Sequence, residues 1–233
     1  MTDRRDQIAA GLDDVRRRMA AAASSAGRDA AEVTLVVVTK FFPAADVRLL
    51  AELGVTDVGE NRHPEAGDKV AECTDLGLRW HFIGGLQSNK AAAVASYAAV
   101  VESVDRTKLV GSLQRGAHER SHPVDVLLQV SLDPPGHEGR SGADAADLPA
   151  LADAVEGAGM LRLRGLMAIA PLDEDPVAAF GRLAQIRAEF VAERPGATWL
   201  SAGMSNDFEA AIGAGATHVR VGSAILGARP PIK

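Results

Sequence analysis

Short runs dominated by β-branched and aliphatic residues recur along the chain, and between them the apolar positions switch to helical spacing. The strand-like runs are VTLVVVT (33–39), VTDVG (55–59), RWHFIG (79–84), AAVVESV (98–104), VDVLLQVS (124–131), LRLRGLMAI (161–169), ATWLSA (197–202) and THVRVG (217–222). Several are apolar at nearly every position, as parallel strands buried on both faces should be. Helical patterns follow most of them, as in ADVRLLAELG (45–54), PVAAFGRLAQIRAEFVAE (176–193) and SNDFEAAIGAG (205–215). One more helix precedes the first strand over residues 3–26, with Ile8, Leu12, Val15 and Met19 on a single stripe that faces a core.

Eight strands alternating with helices predict an α/β fold, a single (β/α)8 TIM-type barrel with an extra N-terminal helix, spanning residues 1–233 as one domain. Only ILGARPPIK follows the last run, too little for a full final helix, so the leading helix is expected to fill that place. A doubly wound open sheet is the other arrangement the alternation allows. The stretches DPPGHEGRSG (133–142) and AIAPLDEDP (168–176) read as βα loops rather than linkers.

Apolar residues make up 47% and charged residues 24%, which excludes a disordered or fibrous chain. Lys and Arg total 25 against 31 for Asp and Glu, a net charge of −6. That balance argues against nucleic acid or an anionic membrane as the main partner, while leaving room for a local basic pocket. Cys73 is the single cysteine, so an intramolecular disulfide is impossible. His63, His118, His122, His137 and His218 show no metal-ligand spacing, and no metal is expected. The opening MTDRRDQ lacks the apolar core of a signal peptide, and AAAVASYAAVV (91–101) is too short and polar to cross a bilayer, so a cytoplasmic protein is expected.

Barrel active sites form at the C-terminal ends of the strands. The first strand closes on Thr39 and Lys40, followed by Phe41, Phe42 and Pro43. A lysine pointing into the barrel mouth would be partly desolvated, its pKa lowered, and usable as an amine nucleophile toward an aldehyde. The plainer alternative is a strand-end lysine that snorkels to solvent. The seventh strand ends at Gly203, with Ser205 expected at the start of a helix, and the eighth ends in Arg220, Val221, Gly222 and Ser223. Loops after strands seven and eight are frequent phosphate sites in such barrels, with amides and a helix N-terminus as donors. Either segment alone could be an ordinary cap or turn, and Asp207 counts against an anion unless its side chain points away. Taken together they suit an aldehyde that carries a phosphate.

Long segments of the chain resemble the pyridoxal phosphate homeostasis protein family, relatives of the N-terminal barrel of alanine racemase. They are LVVVTKFFP (35–43), VGENRHPE (58–65), WHFIGGLQSNK (80–90), ESVDR (102–106), GRSG (139–142), GLMAI (165–169) and LSAGMSNDFEAAIGAGATHVRVGSAILG (200–227). The resemblance implies a (β/α)8 barrel that binds pyridoxal 5′-phosphate (PLP) covalently as a Schiff base on Lys40. It also implies a part in intracellular PLP homeostasis as a carrier or regulator with no catalytic residues of its own. Ser205 and the Gly222–Ser223 turn would hold the phosphate, and Arg220 would meet either the ring nitrogen or the phosphate. Asn61, His81, Met167 and Met204 are expected to line the cavity, although a lone histidine in an apolar strand is more often a hydrogen-bonded core residue. PLP itself and apo forms of PLP-dependent enzymes are the partners implied, and a monomer is expected. A PLP-dependent racemase or decarboxylase on the same barrel is the alternative, and a barrel enzyme forming a Schiff base with a phosphorylated metabolite is a third.

Racemisation needs a second acid or base opposite the lysine; alanine racemases take a tyrosine from a C-terminal domain. Here the chain stops after the eighth strand and Tyr97, its one tyrosine, is expected at the N-terminal rim, away from the mouth. Phe42 and Arg140 stand where some members carry further lysines, which puts secondary sites through those lysines in doubt. Ala202 stands where a methionine is common, which should slightly enlarge the pocket.

Overall fold

The computed structural model describes residues 3–133 and 142–228. In chain order the elements are α1 (Arg4–Ser25), β1 (Thr34–Val38), α2 (Ala44–Glu52), β2 (Asp57–Glu60), α3 (Glu65–Glu72), β3 (Arg79–Phe82), α4 (Ala91–Tyr97), β4 (Val100–Val104) and α5 (Thr107–Ala117). Then follow β5 (Val124–Gln129), α6 (Leu148–Glu156), β6 (Leu161–Met167), α7 (Pro176–Glu193), β7 (Trp199–Ser201), α8 (Phe208–Gly213), β8 (His218–Val221) and α9 (Ser223–Leu226). The eight strands are parallel and close in sequence order, β8 returning to β1 with Val36 opposite Arg220 and Val37 opposite Val221. The closed barrel excludes the open sheet.

Helix α1 buries Ile8, Leu12, Val15, Met19 and Ala23 and packs on α8 and α9, the place a final barrel helix would take. Gly11 makes this approach possible, because a Cβ there would stand 2.7 Å from the Ile225 carbonyl oxygen. Arg18 reinforces the contact, with its guanidinium 4.5 Å from the Phe208 ring centroid and 2.7 Å from Glu209. After β8 there is still a single helical turn, α9.

The strands bury both faces, but the two faces differ in chemistry. Outward residues such as Val37, Val58, Trp80, Val101, Leu128 and Val219 join the helices in one large apolar core. The barrel interior is filled largely by buried polar side chains, among them Asp57, His81, Glu102, Asp125, Ser201, His218 and Arg220, beside a small apolar group of Val100, Leu127 and Met167. Barrels usually fill this space with branched aliphatics. A charged interior must be paired to be tolerated, and the pairing here leads upward to the mouth.

Candidate functional site

Strand alternation places the central lysine. Val36 and Val38 both lie within van der Waals reach of a Cβ at Gly59 and face the barrel interior, so Lys40, two residues on, continues that face. It is half-buried. Phe41 follows at φ +71°, a left-handed conformation that a bulky residue rarely adopts. This kink turns the chain sharply at the top of β1, and the Phe42 amide donates to the Thr39 carbonyl at 3.0 Å. A cavity of about 420 Å³ opens here, within the usual range for small-molecule sites, and Lys40, Met204, Ser205, Arg220, Gly222 and Ser223 line it. The β6–α7 loop supplies the opposite wall through Ala170, Pro171, Leu172 and Glu174.

Two hydroxyls define one end. Ser223 Oγ donates to Ser205 Oγ at 3.2 Å, joining the turns after β7 and β8. Gly222 lies against β1: a Cβ would sit 3.0 Å from the Val38 carbonyl oxygen and 3.3 Å from Val38 Cβ. Gly203, at φ +89°, turns the chain out of β7 where a Cβ would meet Ala211 and Phe208 at 2.7 Å. The helix expected from Ser205 begins later, at Phe208, so Ser205 sits in the turn ahead of it. Asp207 holds that turn, its Oδ1 accepting the Met204 amide at 2.6 Å, so the carboxylate is occupied locally rather than aimed at the serines.

Arg220 is buried in the cavity floor, donating to Ser201 Oγ at 2.7 Å and to the Ala168 carbonyl at 2.9 Å. Ser201 in turn donates to Glu102 Oε2 at 2.6 Å, Glu102 Oε1 meets His81 Nδ1 at 2.7 Å, and His81 Nε2 meets Asp57 at 2.9 Å. The chain alternates in sign, so each buried charge has an opposite neighbour. Burial alone would raise the Glu102 pKa, but the His81 hydrogen bond and the His81 and Arg220 charges outweigh it and hold the carboxyl at about 2. Burial would lower the His81 pKa; its bonds to Asp57 and Glu102 win and raise it. Burial pushes the neighbouring His218 down to about 4, so it is neutral at neutral pH. The Arg220 guanidinium is lowered by burial, with Glu102 and Asp207 opposing.

This network makes a pH prediction. A carboxyl at about 2 in the fold and near 4.5 when unfolded contributes stability that is complete above about 4.5 and lost as the pH falls toward about 2. The unfolding free energy of the native chain minus that of Glu102→Gln, measured with denaturant across pH, should therefore be steady near neutrality and shrink through that acid window. A difference that holds constant down to pH 2 would place the paired carboxylate elsewhere.

Of the residues singled out in the sequence, Lys40, Met204, Ser205, Arg220, Gly222 and Ser223 come together at the cavity. Three expected there do not line it. His81 is 1% exposed beneath the floor, sealed between Asp57 and Glu102, the hydrogen-bonded core histidine that was the plainer alternative. Met167 is fully buried, packed on Val100 and Leu127 inside the barrel. Asn61 lies in the β2–α3 loop, where its carbonyl fills the space a side chain at Gly84 would need. Tyr97 stacks on His63 with ring centroids 6.0 Å apart, against the first turn of α3 rather than at the N-terminal rim. Arg140 and most of the GRSG segment lie outside the described residues. The sequence reading missed Glu102, Ser201 and the β6–α7 wall; inward alternation in VVESV and WLS was the available signal for the first two.

A half-buried amine, a fixed cation and a pair of hydroxyls beside a glycine turn suit a ligand with an aldehyde, an aromatic nitrogen or anion, and a phosphate. PLP carries all of these. The chain matches the alanine racemase N-terminal domain family over residues 11–230. It is 45% identical over 222 residues to the pyridoxal phosphate homeostasis protein of Pseudomonas aeruginosa, covering 95% of this chain and 96% of the relative. The Escherichia coli protein of the same name is 39% identical over 230 residues, covering 96% and 97%. PipY of Synechococcus elongatus, whose structure holds PLP, superposes with a TM-score of 0.81 at 36% identity, covering 94% of this chain and all of that one. Site geometry and full-length likeness agree: the chain belongs to the pyridoxal phosphate homeostasis protein family, built on the alanine racemase N-terminal domain.

Proposed function

We propose that the protein binds PLP on Lys40 and takes part in PLP homeostasis, holding and releasing the cofactor without turning over a substrate of its own. The observation that carries this reading is the cavity that sets Lys40 among Arg220, Gly222, Ser205 and Ser223. When bound, PLP supplies an aldehyde that condenses with amines and a pyridine ring that can draw electrons from an adjacent carbon. Lys40 would bond through its ε-amine to the aldehyde carbon, a C=N bond replacing C=O and the oxygen leaving as water. Ser205, Ser223 and the Gly222 turn would hold the phosphate. Arg220 lies two residues before Gly222 on the same inward face and is anchored to Ser201 and the Ala168 carbonyl, which favours a place at the ring over one at the phosphate. A permanent cation there would keep the ring nitrogen unprotonated and weaken its electron-withdrawing power.

Among the described residues, acid–base partners for turnover are poorly placed. At the cavity, Glu174 is bound through both carboxylate oxygens to Arg182, which holds its pKa below the usual value, and Asp207 is engaged by the Met204 amide. His81 is sealed below the floor and Tyr97 is outside it. With PLP-saturated protein and a panel of amino acids in deuterated water, exchange at Cα should stay far below ordinary enzymatic rates. Rapid exchange that disappears in Lys40→Ala would instead favour the racemase or decarboxylase reading.

The large apolar side chains most exposed among the described residues are Ile169, Leu172, Val177 and Met204; Leu172 and Met204 line the cavity, and Ile169 and Val177 adjoin its lining residues Ala170 and Pro176 in the chain. An apolar rim at the exit suits a protein acceptor such as an apo PLP-dependent enzyme. Val177, 65% exposed and outside the cavity lining, offers the test. Val177→Asp should leave PLP affinity unchanged and slow transfer to an apo-enzyme several-fold. Equal transfer rates would remove the rim from the hand-over.

A further inference from the structure

The strand alternation that sends Lys40 inward sends Thr39 outward toward α3, where it meets a buried ion pair. Lys69 Nζ donates to the Thr39 carbonyl at 2.9 Å and to Glu60 Oε1, and the same Glu60 oxygen accepts Thr39 Oγ1 at 2.7 Å. The Thr39 amide is held as well, donating to the Gly59 carbonyl at 2.9 Å. The Lys69 and Glu60 side chains are only 12% and 5% exposed. Every polar group of Thr39 is thus fixed, on the residue immediately before Lys40, while the residue immediately after is the left-handed Phe41. A buried ion pair is a poor device for stability, since desolvation consumes most of its attraction. A strained backbone residue, for its part, persists only where its surroundings over-determine it.

We propose that Lys69 is a positioning residue: with Glu60 it clamps the main chain at Thr39 so that the Lys40 amine is rooted where it can bond to an aldehyde at the cavity. The idea rests on Lys40 as the attachment residue. Lys69 does not line the cavity, so it acts through Thr39 and touches no part of the ligand. Misplacing a reacting group by even about 1 Å is enough to cost roughly a hundredfold in favourable cases, whereas contacts to ring and phosphate come from other strands and should not notice the change. That separation provides a readout that a purely structural ion pair would not give.

The test compares PLP with pyridoxine 5′-phosphate, which keeps the ring and phosphate but has an alcohol in place of the aldehyde. Both ligands are titrated into the full-length native protein, Lys69→Met and Lys69→Arg. A Lys69→Met/Glu60→Gln double variant is included so that no carboxylate is left buried without its partner. In the native protein PLP should bind more tightly than pyridoxine 5′-phosphate; no preference there would count against the Lys40 assignment itself. Given that preference, Lys69→Met and the double variant should lose about tenfold or more in PLP affinity with pyridoxine 5′-phosphate affinity unchanged, and Lys69→Arg should lie between. Parallel loss of both ligands, or no loss of either, would overturn the clamp.

Discussion

Lys40→Ala is expected to abolish both the visible absorbance of PLP-loaded protein and the adduct fixed by borohydride, while the chain still folds. Lys40 stands past the end of β1 on the cavity wall, and the apolar core beneath is built from other residues, so its loss removes an amine and little packing. What remains at the site is Arg220 and the Ser205–Ser223 pair, enough to hold a phosphorylated pyridine reversibly but not to bond to its aldehyde. Absorbance spectra and intact mass after reduction read the covalent part, and thermal unfolding reads the fold. A variant that still yields a pyridoxyl adduct at the original stoichiometry would remove Lys40 from its role.

The second large effect is expected at Gly222. A Cβ there already stands 3.0 Å from the Val38 carbonyl, and valine adds two methyl groups beyond it with no freedom to swing clear. The β8 turn and the end of β1 must then separate, which moves Ser223 away from Ser205 and opens the phosphate end. Ser205→Ala, by contrast, removes one hydroxyl; a hydrogen bond to a charged group is worth about 1.5–3 kcal/mol, or roughly ten- to a hundredfold in affinity. Gly222→Val should therefore weaken PLP binding more than Ser205→Ala, and pyridoxine 5′-phosphate should suffer alongside PLP. Equal or negligible losses in the two variants would move the phosphate to another part of the cavity.

The barrel was legible because its outward strand faces are largely apolar and the α1 stripe wholly so, and because Gly203 and Gly222 mark the turns that bring strands seven and eight to the mouth. Lys40, Ser205, Gly222 and Ser223, at the ends of strands one, seven and eight, could be placed for the same reason. The interior was harder to read. His81 looks like a cavity residue in WHFIG because nothing nearby in sequence announces Asp57 and Glu102, which reach it from neighbouring strands. The register that pairs Gly59 with His81, and His81 with Val100, decides that contact, and it is a property of the closed sheet. Ahead of α8 the chain makes a turn from Met204 to Asp207, tied by the Met204 amide to the Asp207 carboxylate, and the regular helix begins at Phe208. Lys69 was silent for a similar reason, since its partner is a backbone carbonyl thirty residues away.

The most direct measurement is the intact mass of the native protein saturated with PLP and reduced with borohydride, followed by peptide mapping. The chain offers Lys40, Lys69, Lys90, Lys108 and Lys233 as amines. The expected result is one pyridoxyl group per chain, confined to the peptide that contains Lys40. An adduct on any of the other lysines with Lys40 unmodified, or saturable PLP binding with no reducible adduct, would contradict the account.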